Sequence, residues 1–250
     1  MILSEMTWPG VAAVPEETPV VIPIAAHEQH GHHLPLHTDS YLLGEVVRRL
    51  ENEISKEVLI APLQWFGSSH HHLDFPGTLS ADPRLYLDLL VNEAECFLKH
   101  GFKRLVFLNG HGGNMVPGAQ AVFELRQRFR DQADLLFLST TYWEHGTIDS
   151  GSADFHQQAM GHACEWETSM MLAIRPDLVG NYAEAEATQQ GDVFAGATRG
   201  WTMKDRTDVG HIGHPSVATR EKGEVLFGSF VSGLIPFLRS VADWDGSSWC

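Results

Sequence analysis

Val20-Val21-Ile22-Pro23-Ile24-Ala25, followed closely by Glu28-Gln29-His30-Gly31-His32-His33-Leu34-Pro35-Leu36-His37-Thr38-Asp39, decides how the rest of the chain is read. The unbroken apolar run predicts a strand over residues 19–25 buried on both faces, as in a parallel sheet. A carboxylate, an imidazole two residues on and a second carboxylate nine residues further stand just past its end. In open α/β sheets, ligands bind at that end. Glu28 and His30 alternate in an extended segment and so point to one side, and the loop can return Asp39 to meet them. Hard oxygen donors mixed with borderline nitrogen suit Zn, Mn or Fe better than Ca or Mg. Metal-assisted hydrolysis is the leading expectation.

Outward from this stretch, short apolar runs alternate with longer amphipathic segments, the pattern of βαβ units and hence of an α/β fold. A helix is predicted over 39–54, with Leu42, Leu43, Val46, Val47 and Leu50 on one face, and a second strand over 58–63. Asp82 caps a helix with Pro83 at its first position and Leu85, Leu89, Leu90, Ala94 and Phe97 in helical periodicity up to Gly101. Leu105-Val106-Phe107-Leu108 is a third buried strand, a helix follows over about 116–130, and Leu135-Leu136-Phe137-Leu138 begins a fourth strand. Residues 143–161 read as loop, and helix resumes near Gly161 until Pro176 stops it. The long irregular connection over 180–215 is of the kind that wraps a site or a subunit. A last helix over about 220–242 is interrupted by Pro236. No repeat or linker divides residues 1–250, which are expected to form one domain.

Composition excludes several classes of function. The formal charge of −15, from 32 acidic against 17 basic residues, opposes a nucleic-acid partner. With 43% hydrophobic and 20% charged residues, the chain is not disordered. Cys96, Cys164 and Cys250 are scattered and odd in number, so no disulfide framework is implied. The N-terminus lacks a targeting pattern and no apolar run approaches a membrane span, so a cytoplasmic protein without a membrane partner is expected.

Two further constellations carry chemistry. In Asn109-Gly110-His111-Gly112-Gly113-Asn114, glycines let the backbone approach a ligand and present one imidazole at the end of the third strand. Backbone N–H groups of Gly112–Asn114 could face an oxyanion. In Gly161-His162-Ala163-Cys164-Glu165-Trp166-Glu167, Glu167 lies roughly 140° round a helix from His162. The two address one pocket only if His162 belongs to a frayed first turn. Glu165 reads as an acidic first-turn residue answering the helix dipole. Glu167 runs into core-like Met and Leu and needs a partner. Of His70, His71 and His72, at most two can face one site. His32, His33 and His37 read as rim or loop residues, His211 and His214 as turn residues, and His100 as a helix-end imidazole. Cys164 reads as a small buried residue, not a nucleophile.

These motifs, together with Phe75-Pro76-Gly77-Thr78 and Glu167-Thr168-Ser169, occur in order over residues 20–220 and resemble the creatininase (creatinine amidohydrolase) family. The resemblance implies a three-layer α/β/α sandwich with a mostly parallel central sheet. It implies two divalent ions per chain (Zn, Mn or Fe), a homo-oligomer, usually a hexamer, and hydrolysis of a non-peptide or unusual C–N bond of a small-molecule amide by a metal-bridging hydroxide. By resemblance, Asp39 bridges both ions, Glu28 and His111 complete one site, and His30 and Glu167 the other. His162, with Glu167 beside it, would act in catalysis by giving a proton to the departing nitrogen. Gly112, Gly113, Asn114, Trp143 and His72 are the expected substrate contacts.

The chain departs from the creatininases proper in two places. Their second-metal carboxylate comes two residues after the glycine-loop histidine, where this chain has Gly113. A tryptophan and an aspartate just upstream of the catalytic histidine are here Gln158 and Ala159. The expected substrate is therefore a small cyclic amide, formamide or related amide, with creatinine itself or a small peptide precursor as alternatives. A non-catalytic metal-binding protein is the rival class; it predicts a damaged ligand set, whereas all five positions carry competent donors.

Overall fold

Alternate residues of the opening apolar run enter two different cores, and this explains why the run contains no polar residue. It forms β1 (Val20–Ile24), which pairs in parallel with β2 (Leu59–Ile60) on one side and β3 (Arg104–Asn109) on the other. A fourth strand, β4 (Leu136–Thr141), adds in parallel to β3, giving the order β2-β1-β3-β4. The computed structural model describes residues 1–148, 154–189, 191, 193–194 and 196–248; Cys250 lies outside the described residues. Its helices are α1 (Trp8–Ala12), α2 (Thr38–Ile54), α3 (Pro83–Lys99), α4 (Met115–Arg128), α5 (Glu165–Ile174), α6 (Met203–Arg206) and α7 (Arg220–Asp243).

Val20, Ile22, Ile24, Leu105 and Phe107 pack against Tyr86, Leu90 and Ala94 of α3 and Ala121 and Leu125 of α4. Val21, Ala25, Val106 and Leu108 face the opposite layer, made by Leu42, Leu43, Val46 and Leu50 of α2, Met170 and Met171 of α5, and Leu226, Phe230 and Leu234 of α7. Each such side chain contributes roughly 1.5–3 kcal/mol when fully buried. The result is the α/β/α sandwich with a parallel sheet. Asp82 caps α3 by accepting from the N–H groups of Arg84 and Leu85, with Pro83 occupying the first turn. Because β2 and β3 flank β1 on opposite sides, the chain diverges at the carboxyl ends of β1 and β3. The site lies in that crevice.

Four sequence expectations change in the folded chain. The second strand is confined to Leu59–Ile60, because Pro62 has no N–H to give the ladder; pairing resumes only at the bridge between Ile24 and Gln64. Helix does not resume at Gly161 but at Glu165, since His162 pairs with Ile212 and Ala163 takes a left-handed φ of 46°. Pro236 does not interrupt α7; it sits on the exposed face, where the carbonyl it leaves unpaired can meet water. Finally α7, 24 residues long with an 18-residue stretch of mean hydropathy 1.6, is long and apolar enough by length and composition to cross a membrane. Here its apolar stripe of Leu226, Phe230, Leu234, Leu238 and Val241 packs in the core.

The approach of α7 to α5 is set by Gly223, where a Cβ would lie 2.1 Å from the carbonyl oxygen of Ser169. Gly223→Ala is expected to force the helices apart and destabilise the fold by about 1–3 kcal/mol. A urea midpoint equal to that of the parent would refute this close packing.

Candidate metal centre and active site

Five donors far apart in sequence converge at the carboxyl ends of β1 and β3. Glu28 and His30 lie in the loop after β1, Asp39 in the first turn of α2, His111 just past β3, and Glu167 in the first turn of α5. All five are buried. Helix N-termini carry positive partial charge, which favours the Asp39 and Glu167 carboxylates where they stand.

Hydrogen bonds decide which face of each imidazole is available. The Nδ1–H of His30 donates to the Glu28 carbonyl at 3.0 Å, which turns Nε2 toward Asp39 Oδ1 at 3.0 Å and Glu167 Oε1 at 3.8 Å. The Nε2–H of His111 donates to the Ser68 carbonyl at 3.0 Å, which turns Nδ1 toward Asp39 Oδ2 at 3.1 Å. Two nitrogen lone pairs thus meet the two oxygens of one carboxylate. Only positive charge between them, a proton or a metal cation, makes those contacts attractive.

Electrostatics report the same demand. Burial disfavours the charged imidazole, yet Asp39 and Glu167 hold His30 well above its usual range. Burial likewise opposes the charge on His111, but Glu28 and Asp39 raise it to about 9. Burial works against the Asp39 carboxylate, and His30 and His111 nevertheless hold it far below the usual range. Glu28 is pushed up to about 7, by burial first and with Asp39 adding to it against the pull of His111.

The fit to metal ions rests on unpaired donors. Among the described residues, Glu28 Oε1 and Oε2 and Asp39 Oδ2 are buried without a hydrogen bond. Histidine nitrogens lie 3.1–3.6 Å from these oxygens without an aligned N–H. Several groups here, Glu28–His30–Asp39 and His30–His162–Glu167 among them, bring ligand atoms within 4.8 Å of one another. Carboxylate oxygen plus neutral imidazole nitrogen, each imidazole oriented by a backbone carbonyl, is a donor set for Zn, Mn or Fe.

His162 precedes α5 and is held by its backbone pairing with Ile212. Its Nε2–H donates to the Gln29 carbonyl at 2.8 Å, leaving Nδ1 facing Glu28 Oε1 at 3.6 Å. Burial, and then His30, push it well below its usual value, so it rests neutral. The neighbouring N–H of Ala163 donates to Glu167 Oε2 at 2.5 Å. His162 and Glu167 therefore share one pocket because His162 stands outside the helix.

One expected substrate contact is corrected. Asn114 is fully buried and does not line the cavity; its Oδ1 accepts from the Ser68 N–H, its Nδ2 donates to the Ala25 carbonyl, and its own N–H donates to the His111 carbonyl. His72 lines the cavity, with Gln29 Nε2 donating to its Nδ1 at 2.8 Å and its Nε2 facing Glu28 Oε1 3.3 Å away. Gly112, Gly113 and Trp143 do line the cavity of about 700 Å³ over the donors, together with Met160, Trp201 and Arg206.

Some contributors had no role assigned in the sequence. Gln29 ties Gly210, His72 and Gly31 together through its side chain, and no local pattern marks it because its partners are remote. Glu165 does begin α5, but it is buried and paired with Lys222 at 2.5 Å, and it accepts the N–H groups of His156 and Gln157. His33 is buried against Thr168 at 3.0 Å, and the Nε2–H of His211 donates to the Glu186 carbonyl. His32 is exposed, and His100 caps α3 as a helix-end residue.

Comparison with known proteins agrees with this architecture. Residues 4–238 match the Creatininase (creatinine amidohydrolase) family model. The chain belongs to the creatininase family. It is 32% identical over 226 residues to the mycofactocin precursor peptide peptidase of Mycolicibacterium smegmatis, covering 86% of this chain and 81% of that protein. It is 26% identical to the creatinine amidohydrolase of Pseudomonas putida, covering 96% of each. The solved structure "Creatininase Mn" superposes with a TM-score of 0.80 at 25% identity, covering 96% of this chain and 97% of that one. A creatininase-family hydrolase with a donor cluster suited to divalent metal is the description these findings support.

Cys164, fully buried at the start of α5, has its thiol pushed up to about 12, by burial first and then by Glu167. Native protein treated with iodoacetamide at pH 8 is expected to label at exposed Cys96 and not at Cys164. Rapid native labelling of Cys164, mapped by mass spectrometry, would contradict its structural role.

Proposed function

We propose that this chain is a dinuclear metal-dependent amidohydrolase that cleaves the C–N bond of an amide. Glu28, His111 and Asp39 would hold one divalent ion, and His30, Glu167 and Asp39 the other. The observation that carries this reading is the pair of imidazole nitrogens, His30 Nε2 and His111 Nδ1, meeting opposite oxygens of Asp39 at 3.0 and 3.1 Å. One carboxylate between two such nitrogens is placed to be shared by two cations. When bound, the ions supply a water acidic enough to ionise near neutral pH and an electrophile for the scissile carbonyl.

The chain's own residues supply the proton traffic. His162 rests neutral with Nδ1 open toward the cluster, so it takes a proton from the attacking water and returns it to the departing nitrogen. Amide nitrogen leaves poorly unless protonated, so the group is worth about 10²–10⁴ in rate. Gln29 fixes the Nε2 end of His162 through its carbonyl, and Trp143 and Met160 line the cavity beside it.

A small cyclic amide or formamide fits the chemistry. A short peptide is the second reading, and two observations favour it. The cavity of about 700 Å³ exceeds what one small ring requires, and Arg206 stands in its wall with the guanidinium 4.9 Å over the Trp201 ring. A peptide carrying a free carboxylate would use that cation.

Purified protein is expected to carry two ions per chain by elemental analysis and to hydrolyse members of a panel of cyclic amides, formamides and short peptides. Asp39→Ala should lose both ions together; one ion retained at full occupancy would end the shared-carboxylate reading. His162→Ala should retain both ions and lose about 10²–10⁴ in kcat. An unchanged kcat removes it from the mechanism.

A further inference from the structure

Gly113 records how tightly the loop after β2 presses on the glycine loop after β3. A Cβ at that position would lie 2.2 Å from the Ser68 carbonyl oxygen, 2.4 Å from His111 Nε2 and 2.8 Å from His71 Cε1. Only glycine fits there, and the close approach delivers the 3-10 turn His70–His72 to the edge of the metal centre. The turn fans its three imidazoles apart. His70 is exposed, and His72 is turned down onto Glu28. His71 lies over His111, with ring centroids 5.7 Å apart and planes 15° from parallel, and the Trp201 ring meets its edge at 5.0 Å.

The three neighbouring imidazoles differ in what their nitrogens do. His72 and His111 are each held by hydrogen bonds. His71 makes no hydrogen bond among the described residues, although it is half-buried and borders the cavity. One of its ring nitrogens, a Glu28 oxygen and a His111 nitrogen all lie within 4.8 Å of one another. Ligands about 2.0–2.2 Å from a common ion stand at most ~4.4 Å apart, so a small side-chain rotation closes this set on one cation.

We propose that His71 is an additional ligand to the ion held by Glu28 and His111, outside the five donors already described. The inference rests on the two-metal reading above. His71 approaches from the cavity side, so the coordination position it fills is one that an entering substrate must take. The open position that hydrolytic metal sites require is then created by displacing this imidazole.

Co²⁺ and Zn²⁺ titrations of the ion-free full-length protein test the assignment. The readouts are stoichiometry, affinity and, for Co²⁺, the visible d–d spectrum. His71→Ala is expected to weaken one of two ions by about 10–100-fold, leave the other unchanged, and alter the Co²⁺ spectrum. His71→Phe keeps a ring stacked on His111 without a nitrogen, and should lose the same ion to the same extent. Parental affinity and spectrum in His71→Phe would show that the ring only packs, overturning the proposal while the two-metal reading stands. If the parent protein takes up no second ion, both readings fall together. Far-UV circular dichroism of each variant separates loss of a ligand from loss of the fold.

Discussion

Three carboxylates are buried at the end of a parallel sheet where, among the described residues, their ion-pair partners are imidazoles, and the rest of the structure accommodates that fact. Charges removed from water cost several kcal/mol each unless matched by opposite charge at close range. At Glu28, Asp39 and Glu167 the described residues supply helix N-termini, one backbone N–H and the edges of imidazoles. The match is incomplete until positive charge enters. Folding and ion binding are therefore coupled, because an ion that binds only the native arrangement stabilises it by mass action.

Holding the donors in register falls to a surrounding layer of residues, none of which needs to touch substrate. Glu165 joins Lys222 of α7 to the backbone at 156–157, and Gln157 Oε1 accepts the N–H groups of Glu165 and His214. These bonds lock the start of α5, from which Glu167 projects. A buried ion pair is weak evidence for stability, but this one sets where a helix begins. On the opposite side, Gln29 links the β1 loop to Gly210 and His72. Ala163, at a φ of 46°, makes the turn that separates His162 from the helix while leaving its N–H on Glu167. A non-glycine residue in that region costs about 1–3 kcal/mol, and such strain collects at functional sites.

Much of the architecture was legible in the chain. A strand covered on both faces must be apolar throughout, and residues 20–24 and 105–108 are. The amphipathic stripe of α2 was equally plain, since one side of that helix faces a core. In α3 the stripe is rotated: Leu90, Ala94 and Phe97 are buried as expected, but Leu85 and Leu89 are exposed and Tyr86 and Val91 face the core instead. Boundaries were less so: Pro62 ended a strand early, Pro236 failed to end a helix, and α5 began four residues beyond Gly161. Each outcome depends on whether a lost backbone bond can be met by water or by another segment, which local pattern does not encode. Among the site residues, Asn114 was expected to meet substrate because it closes the glycine loop whose backbone N–H groups could face an oxyanion; in the fold it is buried and engaged by Ser68 and Ala25.

By itself the sequence determined the order of elements, the parallel sheet with a layer of helices on either side, and the identity of the donor side chains placed after strands and at helix starts. Those follow from periodicity and side-chain chemistry, which are properties of short stretches of chain. Only the tertiary structure decided which nitrogen of each histidine faces Asp39, which of three consecutive histidines enters the centre, and that Glu165 answers Lys222 rather than solvent. Those depend on the direction of a lone pair and on contact between segments remote in sequence. Both are set by how layers pack, because rotating one imidazole exchanges its donor and acceptor faces without changing the residue.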